Sequence, residues 1–237
     1  MTPAMAGCTG SSPSTAARAE KLYLELLNAG YRRVDQIFIF LFLFEWLRGV
    51  GFALWISPLA WAGEQVSDYV HVWAAIFLGG AVVSLPIILS LTCPDGWCTR
   101  HAVAIGQILM GALLFQLSRG RIEANFHIFG SLVFLALYLD WRVLMTASFV
   151  VALDHFLLGI YWPRSVYGIM TGSTWRWAAH TAWVAFEDIV LVRGCLQSLL
   201  GLRELAIRQA EVESAHEVVG RLVEERTADL ERANSTL

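Results

Sequence analysis

The stretch Trp177–Leu237 constrains this chain most, because a single helix there has to serve two solvents. From Trp177 to Leu200 most residues are Ala, Val, Leu, Ile, Phe or Trp, a run about as long as a bilayer's hydrocarbon core requires. His180, Glu187 and Asp188 interrupt it. Beyond it the composition turns to Arg203, Glu204, Arg208, Glu211, Glu213 and Glu217, with no proline and, after Gly201, a single glycine at Gly220. Nothing in that stretch stops a helix. Leu205, Val212, Val219 and Ala233, interleaved with Val223, Leu230 and Leu237, recur at the 3-4 spacing of a two-stranded coiled coil. Gln209, His216 and Arg226 fall in the same seam, where polar residues weaken a zipper while fixing its register and partner. A membrane helix that becomes a weak parallel coil is suited to carrying a small motion across a bilayer. These three residues are therefore the expected relay positions, and a coil reaching Leu237 predicts an output domain beyond it.

With 57% hydrophobic residues and ten tryptophans, and a mean hydropathy of +0.56, the chain is no ordinary soluble domain. Its net charge of -3 gives no case for nucleic acid. The expected fold is an all-α membrane protein, a six-transmembrane-helix bundle whose last helix continues into a cytoplasmic parallel coiled coil. The spans run Gln36–Leu59, Tyr69–Leu91, His101–Leu117, Ile122–Leu139, Val143–Trp162 and Trp177–Leu200, the third and fourth short for a bilayer. Residues 1–34 form a cytoplasmic tail and amphipathic lead-in, 35–200 the bundle and 201–237 the coil. Basic residues before the first span and after the sixth, with none in the loop holding Glu64 and Asp68, place both termini in the cytoplasm. Tryptophans near span ends, among them Trp61, Trp73, Trp97, Trp141, Trp162 and Trp175, read as an aromatic belt. Cys8, Cys93, Cys98 and Cys195 have no disulfide-framework spacing, and Cys-x4-Cys lies outside the usual zinc patterns. No internal repeat of the transporter kind is visible.

Ionisable groups inside apolar spans are costly, and they mark candidate sites. Glu45 and Arg48, three residues apart in the first span, are expected to pair as an internal structural ion pair. The others gather by depth, reckoned at about 1.5 Å per helical residue. His71 begins the second span on its outer side. Glu123 and His127 share a face in the first turns of the fourth, Asp154 and His155 lie about 10 Å below the outer end of the fifth, and His180 and Glu187 share a face of the sixth. Imidazoles from separate helices at one level, with carboxylates nearby, suit a metal or haem site in a bundle. A copper, iron or zinc ion would draw on His127, His155 and His180, with Glu123, Asp154 or Glu187 completing the set, and a haem would take two axial residues such as His127 and His180. The same groups equally describe a wet network that binds a small polar ligand or protons, or histidines that simply hydrogen-bond their neighbours and hold the bundle together.

The blocks GRIEANFHIFGSLVFLALYLDWRVL, VVALDHFLLGIYWPRSVYG and WRWAAHTAWVAFEDIVLVR resemble the multi-span input region of bacterial membrane sensor and hybrid histidine kinases. The end, VEERTADLERANSTL, resembles the signalling helix that precedes their output domain. The resemblance matches Glu123, His127, Asp140, Asp154, His155, His180, Glu187 and Asp188, and departs at Asn125 and Gln116, where histidine is expected. It implies signal transduction, homodimerisation, residence in the bacterial inner membrane, and a C-terminal kinase or other output domain with its response regulator. The chain itself is expected not to be an enzyme, since it has no glycine-rich ATP loop and His216 lacks the flank of a phosphoacceptor. The rival expectation is a haem-binding membrane redox protein that exchanges electrons with quinone.

Overall fold

The computed structural model describes residues 13–55, 68–118, 122–161 and 176–235, and these are helical apart from short turns. The helices are α1 (Pro13–Trp55), α2 (Asp68–Trp73), a π-helical segment (Ala74–Leu78) running into α3 (Gly79–Thr92), α4 (Trp97–Leu117), α5 (Ile122–Leu135) closed by a 3-10 turn (Ala136–Tyr138), α6 (Trp141–Tyr161) and α7 (Arg176–Ser235). Among the described residues, three helical stretches are long and apolar enough to cross a membrane: Pro13–Leu54, His71–Thr92 and Trp97–Leu117. Phe126–Tyr138 is a shorter apolar helix. The loop with Glu64, together with Cys8, Trp61, Trp162 and Trp175, lies outside the described residues.

The chain divides into two compact units, residues 13–28 with 198–235, and Ala29–Gln197. In the larger, α4 is central and buries residues along its whole length, from Thr99 and Val103 to Leu114 and Leu117. Between apolar helices in an apolar solvent, close approach through small residues replaces the hydrophobic drive that water supplies. Gly106 provides that approach on α4: a Cβ there would stand 2.6 Å from Pro86 Cγ on α3 and 3.3 Å from Phe42 on α1. Large apolar side chains point outward instead, with Phe40 73%, Ile189 70% and Phe149 68% exposed. Outward apolar surface on this scale fits contact with lipid.

Two local breaks are repaired by side chains. A π-helical segment shifts the backbone hydrogen-bond ladder, and the Trp46 indole N–H of α1 reaches the carbonyls of Ala75 at 3.1 Å and Ile76 at 3.3 Å. At the end of the 3-10 turn Leu139 takes a left-handed conformation, φ 54°, and Asp140 then starts α6 by accepting the Arg142 N–H on its carboxylate at 3.1 Å.

Asp35 locks one end of this unit. It is 1% exposed and accepts the Tyr138 hydroxyl at 2.6 Å and the Asp95 backbone N–H at 2.9 Å. Asp95, also at positive φ, takes Arg32 Nε on its side chain at 2.7 Å. Arg100 lies 4.0 Å over the Tyr31 ring, with Nη2 3.8 Å from Asp140. The early part of α1, the α3–α4 turn and the α5–α6 turn therefore share one end, as up-and-down helices require.

The smaller unit is an antiparallel helix pair. Ala19 and Leu22 of α1 pack on Ala206 and Ala210 of α7, flanked by Tyr23, Leu26 and Ile207. Arg18 Nε meets Glu213 at 2.7 Å, and Arg203 meets Glu20 at 3.4 Å.

Candidate functional site

Among the described residues of the larger unit, two polar groups hold the expected histidines His127, His155 and His180. The first joins α1, α4 and α5. Glu45 is 1% exposed and Gln107 fully buried. Gln107 Nε2 donates to Glu45 Oε1 at 2.7 Å and to Ser131 Oγ at 3.2 Å. The Ser131 hydroxyl donates to the His127 carbonyl at 2.8 Å, and His127 Nε2 lies 3.1 Å from Glu45 Oε1. Gly111, one turn along α4 from Gln107, makes room for the imidazole: a Cβ there would stand 2.8 Å from His127 Cδ2. Glu45 thus turns to His127 and Gln107. The expected pairing with Arg48 is not made among the described residues; the guanidinium lies 6.0 Å and 5.9 Å from the centres of the Phe44 and Phe52 rings. The reason lies in the tertiary packing, since the α4 face offers Glu45 a buried amide while the Arg48 guanidinium lies toward aromatic faces.

The second group lies between α6 and α7. The rings of His155 and His180 stand 5.2 Å apart, centre to centre, at 36°. His155 is buried, and its Nδ1 is 3.1 Å from the Val151 carbonyl and 3.5 Å from Asp154 Oδ2. A carbonyl only accepts, so in the neutral ring Nδ1 carries the hydrogen and Nε2 keeps its lone pair. That is the state in which imidazole ligates. His180 is half-buried beside it.

Further along α7 the inward line runs through Val184, Asp188 and Cys195. Asp188, which the depth argument passed over, is therefore more deeply placed than Glu187. Asp188 Oδ1 and Glu187 Oε2 are buried acceptor atoms without a hydrogen-bond partner among the described residues.

Of the expected site residues, the structure brings the His155 and His180 rings together, with Asp154 beside Nδ1 of His155, and it holds His127 in the other group through Nε2. His71 is half-buried on α2. Glu123 falls in the first turn of α5, and its side chain lies outside the described residues. Among the described residues no three His, Cys, Asp or Glu side chains converge as a protein-only metal cage needs. Of the expected relay residues, Gln209 donates to Glu213 at 3.3 Å, while His216 and Arg226 are exposed on α7. Gln107 and Ser131 escaped the sequence reading because neither is ionisable. Their signal was a lone amide and a lone hydroxyl in apolar helices.

No known protein family, curated protein or solved structure matches the chain. The described residues are helical apart from short turns, with three stretches long and apolar enough to cross a membrane.

Proposed function

We propose that the chain is the membrane input module of a two-component signalling protein, six spans with both termini cytoplasmic, which binds its signal between α6 and α7. One observation carries this reading: two imidazoles from different helices face each other, and one of those helices runs without a break to Ser235. A ligand that draws His155 and His180 together, or a change that drives them apart, alters α6–α7 packing. A shift of an ångström or two in α7 then alters the coil at Gln209, His216 and Arg226 and biases the output domain. The ligand must bind the two packings with different affinity for this to work. As a histidine-kinase input, the module works as a homodimer in the bacterial inner membrane and leaves catalysis to the domain that follows.

The favoured ligand is a first-row transition ion. His155 and His180, whose rings stand 5.2 Å apart, would hold such an ion through neutral imidazole nitrogens, and exogenous ligands would fill its other positions.

Elemental mass spectrometry of the detergent-purified protein tests this. About one copper, iron or zinc per chain, lost in His155→Ala and in His180→Ala, is the expected result. Metal far below that after reconstitution overturns the metal reading, and signalling by the full-length protein that is indifferent to both variants overturns the site. A visible haem spectrum lost in His127→Ala would favour the redox protein instead.

A further inference from the structure

The tail of α7 has two unlike faces. One is covered within the chain, where Ala206 and Ala210 sit under α1 at 0% and 1% exposure. Glu213 accepts both Nε and Nη2 of Arg18 there, at 2.7 and 3.4 Å. The other face is open: Leu205, Val212, Val219, Val223 and Leu230 are each more than half exposed. With Leu205, Val212 and Val219 at heptad position d, the a positions fall on Gln209, His216, Val223 and Leu230. Position e then takes Ala206 and Glu213, and position g takes Arg208. In a parallel two-stranded coil, g of one helix faces e of the partner five residues on, which sets Arg208, paired with Glu204 of its own helix, against Glu213 of the second copy, so the guanidinium is shared between the two carboxylates. A parallel homodimer repeats that contact on both sides by symmetry. The α1 segment lies along positions b and e, next to the seam and not across it.

We propose that the open face is covered by a second copy of this chain in parallel register, and that the dimer begins as four helices. Two tail segments form the seam, and residues 13–28 of each copy flank it, with each Glu213 held by its own Arg18 and by Arg208 of the second copy. The inference rests on the reading of the tail as a dimeric coil and adds the N-terminal helix to it. The N-terminal segment then steadies the first two heptads, where polar Gln209 and His216 leave the seam weak, while the later heptads rest on Val223 and Leu230 with Arg226 between them.

Disulfide cross-linking in native membranes tests both layers. Cysteines placed singly at Leu205, Val212 and Leu230 are compared with the parent chain, whose own four cysteines set the background. All three are expected to give a cross-linked dimer, and failure of all three sinks the dimeric coil itself. With the dimer present, Arg18→Glu is expected to lower cross-linking at positions 205 and 212 by about threefold, the scale of an exposed bidentate pair, and to leave position 230 unchanged. Glu213→Arg should do more, because it breaks both contacts. Adding Arg18→Glu to it should restore part of the loss, and adding Arg208→Glu as well should restore more, short of the full level because it also breaks the Arg208–Glu204 pair of the same helix. Unchanged cross-linking at 205 and 212 in Arg18→Glu, with position 230 intact, overturns the four-helix start and leaves the coil standing. A cross-linked product of another mass overturns the second copy as the occupant.

Discussion

The polar group around α4 and the one between α6 and α7 lie in the same kind of apolar packing but differ in how their hydrogen bonds cross between helices. Around α4, His127 spends Nε2 on Glu45, and Gln107 commits both amide hydrogens, to Glu45 and Ser131. Between α6 and α7, His155 ties Nδ1 to its own helix at Val151. The first arrangement is an interhelical bond across three helices. The second spans two helices with rings in contact, so its energy is open to change. Polar groups in lipid can therefore be sorted by whether their hydrogen bonds cross between helices, which depth alone does not show.

That contrast breaks first under Gln107→Leu. The substitution keeps volume but leaves Glu45, buried to 1% exposure, with His127 as its one remaining partner among the described residues. Leaving a buried carboxylate short of a donor costs about 3 kcal/mol, and thermal unfolding in detergent should show a correspondingly lower midpoint. An unchanged midpoint would mean that the knot is not an interhelical bond. The α4 crossing should be nearly as sensitive. Gly106→Ala puts a methyl 2.6 Å from the Pro86 ring, and overpacking a contact with so little freedom costs about 1–3 kcal/mol. The same melting measurement reads it.

His155→Gln should behave in the opposite sense. The amide fills most of the imidazole's space and can still donate to Val151, so stability should move by no more than about 1 kcal/mol, while metal content falls away. A loss of stability as large as that of Gln107→Leu would move His155 to the structural side of the comparison.

How much of this the sequence carries depends on the kind of contact. The helices were legible because an apolar run with few breakers has one way to satisfy its backbone; the described parts of the six expected stretches are helical, and three described helical stretches are long and apolar enough to cross a membrane. The depth argument grouped His127, His155 and His180; the structure sets the last two rings side by side and holds His127 on Glu45. The partner of Glu45 was not legible. Arg48 is the nearest opposite charge in sequence, and nothing local says that a neutral Gln107, 62 residues away, will be the neighbour. Asp35 with Tyr138, 103 residues apart, escaped for the same reason. The pairing of the two chain ends was hidden because Ala206 and Ala210 look like filler between the heptad residues, and only a second helix at their face gives them meaning.

The smallest effect concerns that pairing, and here pH reads it. Glu213 is held below the ordinary carboxylate range by the hydrogen bond from Arg18, and the same bond raises Arg18. A carboxylate depressed in the folded state adds stability that is fully present above its unfolded value, near 4.5, and fades as pH falls through the depressed one. The helix pair should accordingly hold at neutral pH and loosen only in acid, while Arg18 stays charged throughout. Both groups are exposed, so salt should weaken the contact as well. Carbon-13 NMR of a labelled Glu213 carboxyl measures this directly: its titration midpoint should lie below that of an unpaired glutamate and return toward it in Arg18→Gln. A midpoint that ignores Arg18 would show that the two ends of the chain are not held together at this pair. The N-terminal helix would then owe its place to Ala19, Leu22, Ala206 and Ala210 alone, making the smaller unit an apolar contact and leaving charge selectivity to Arg203 and Glu20.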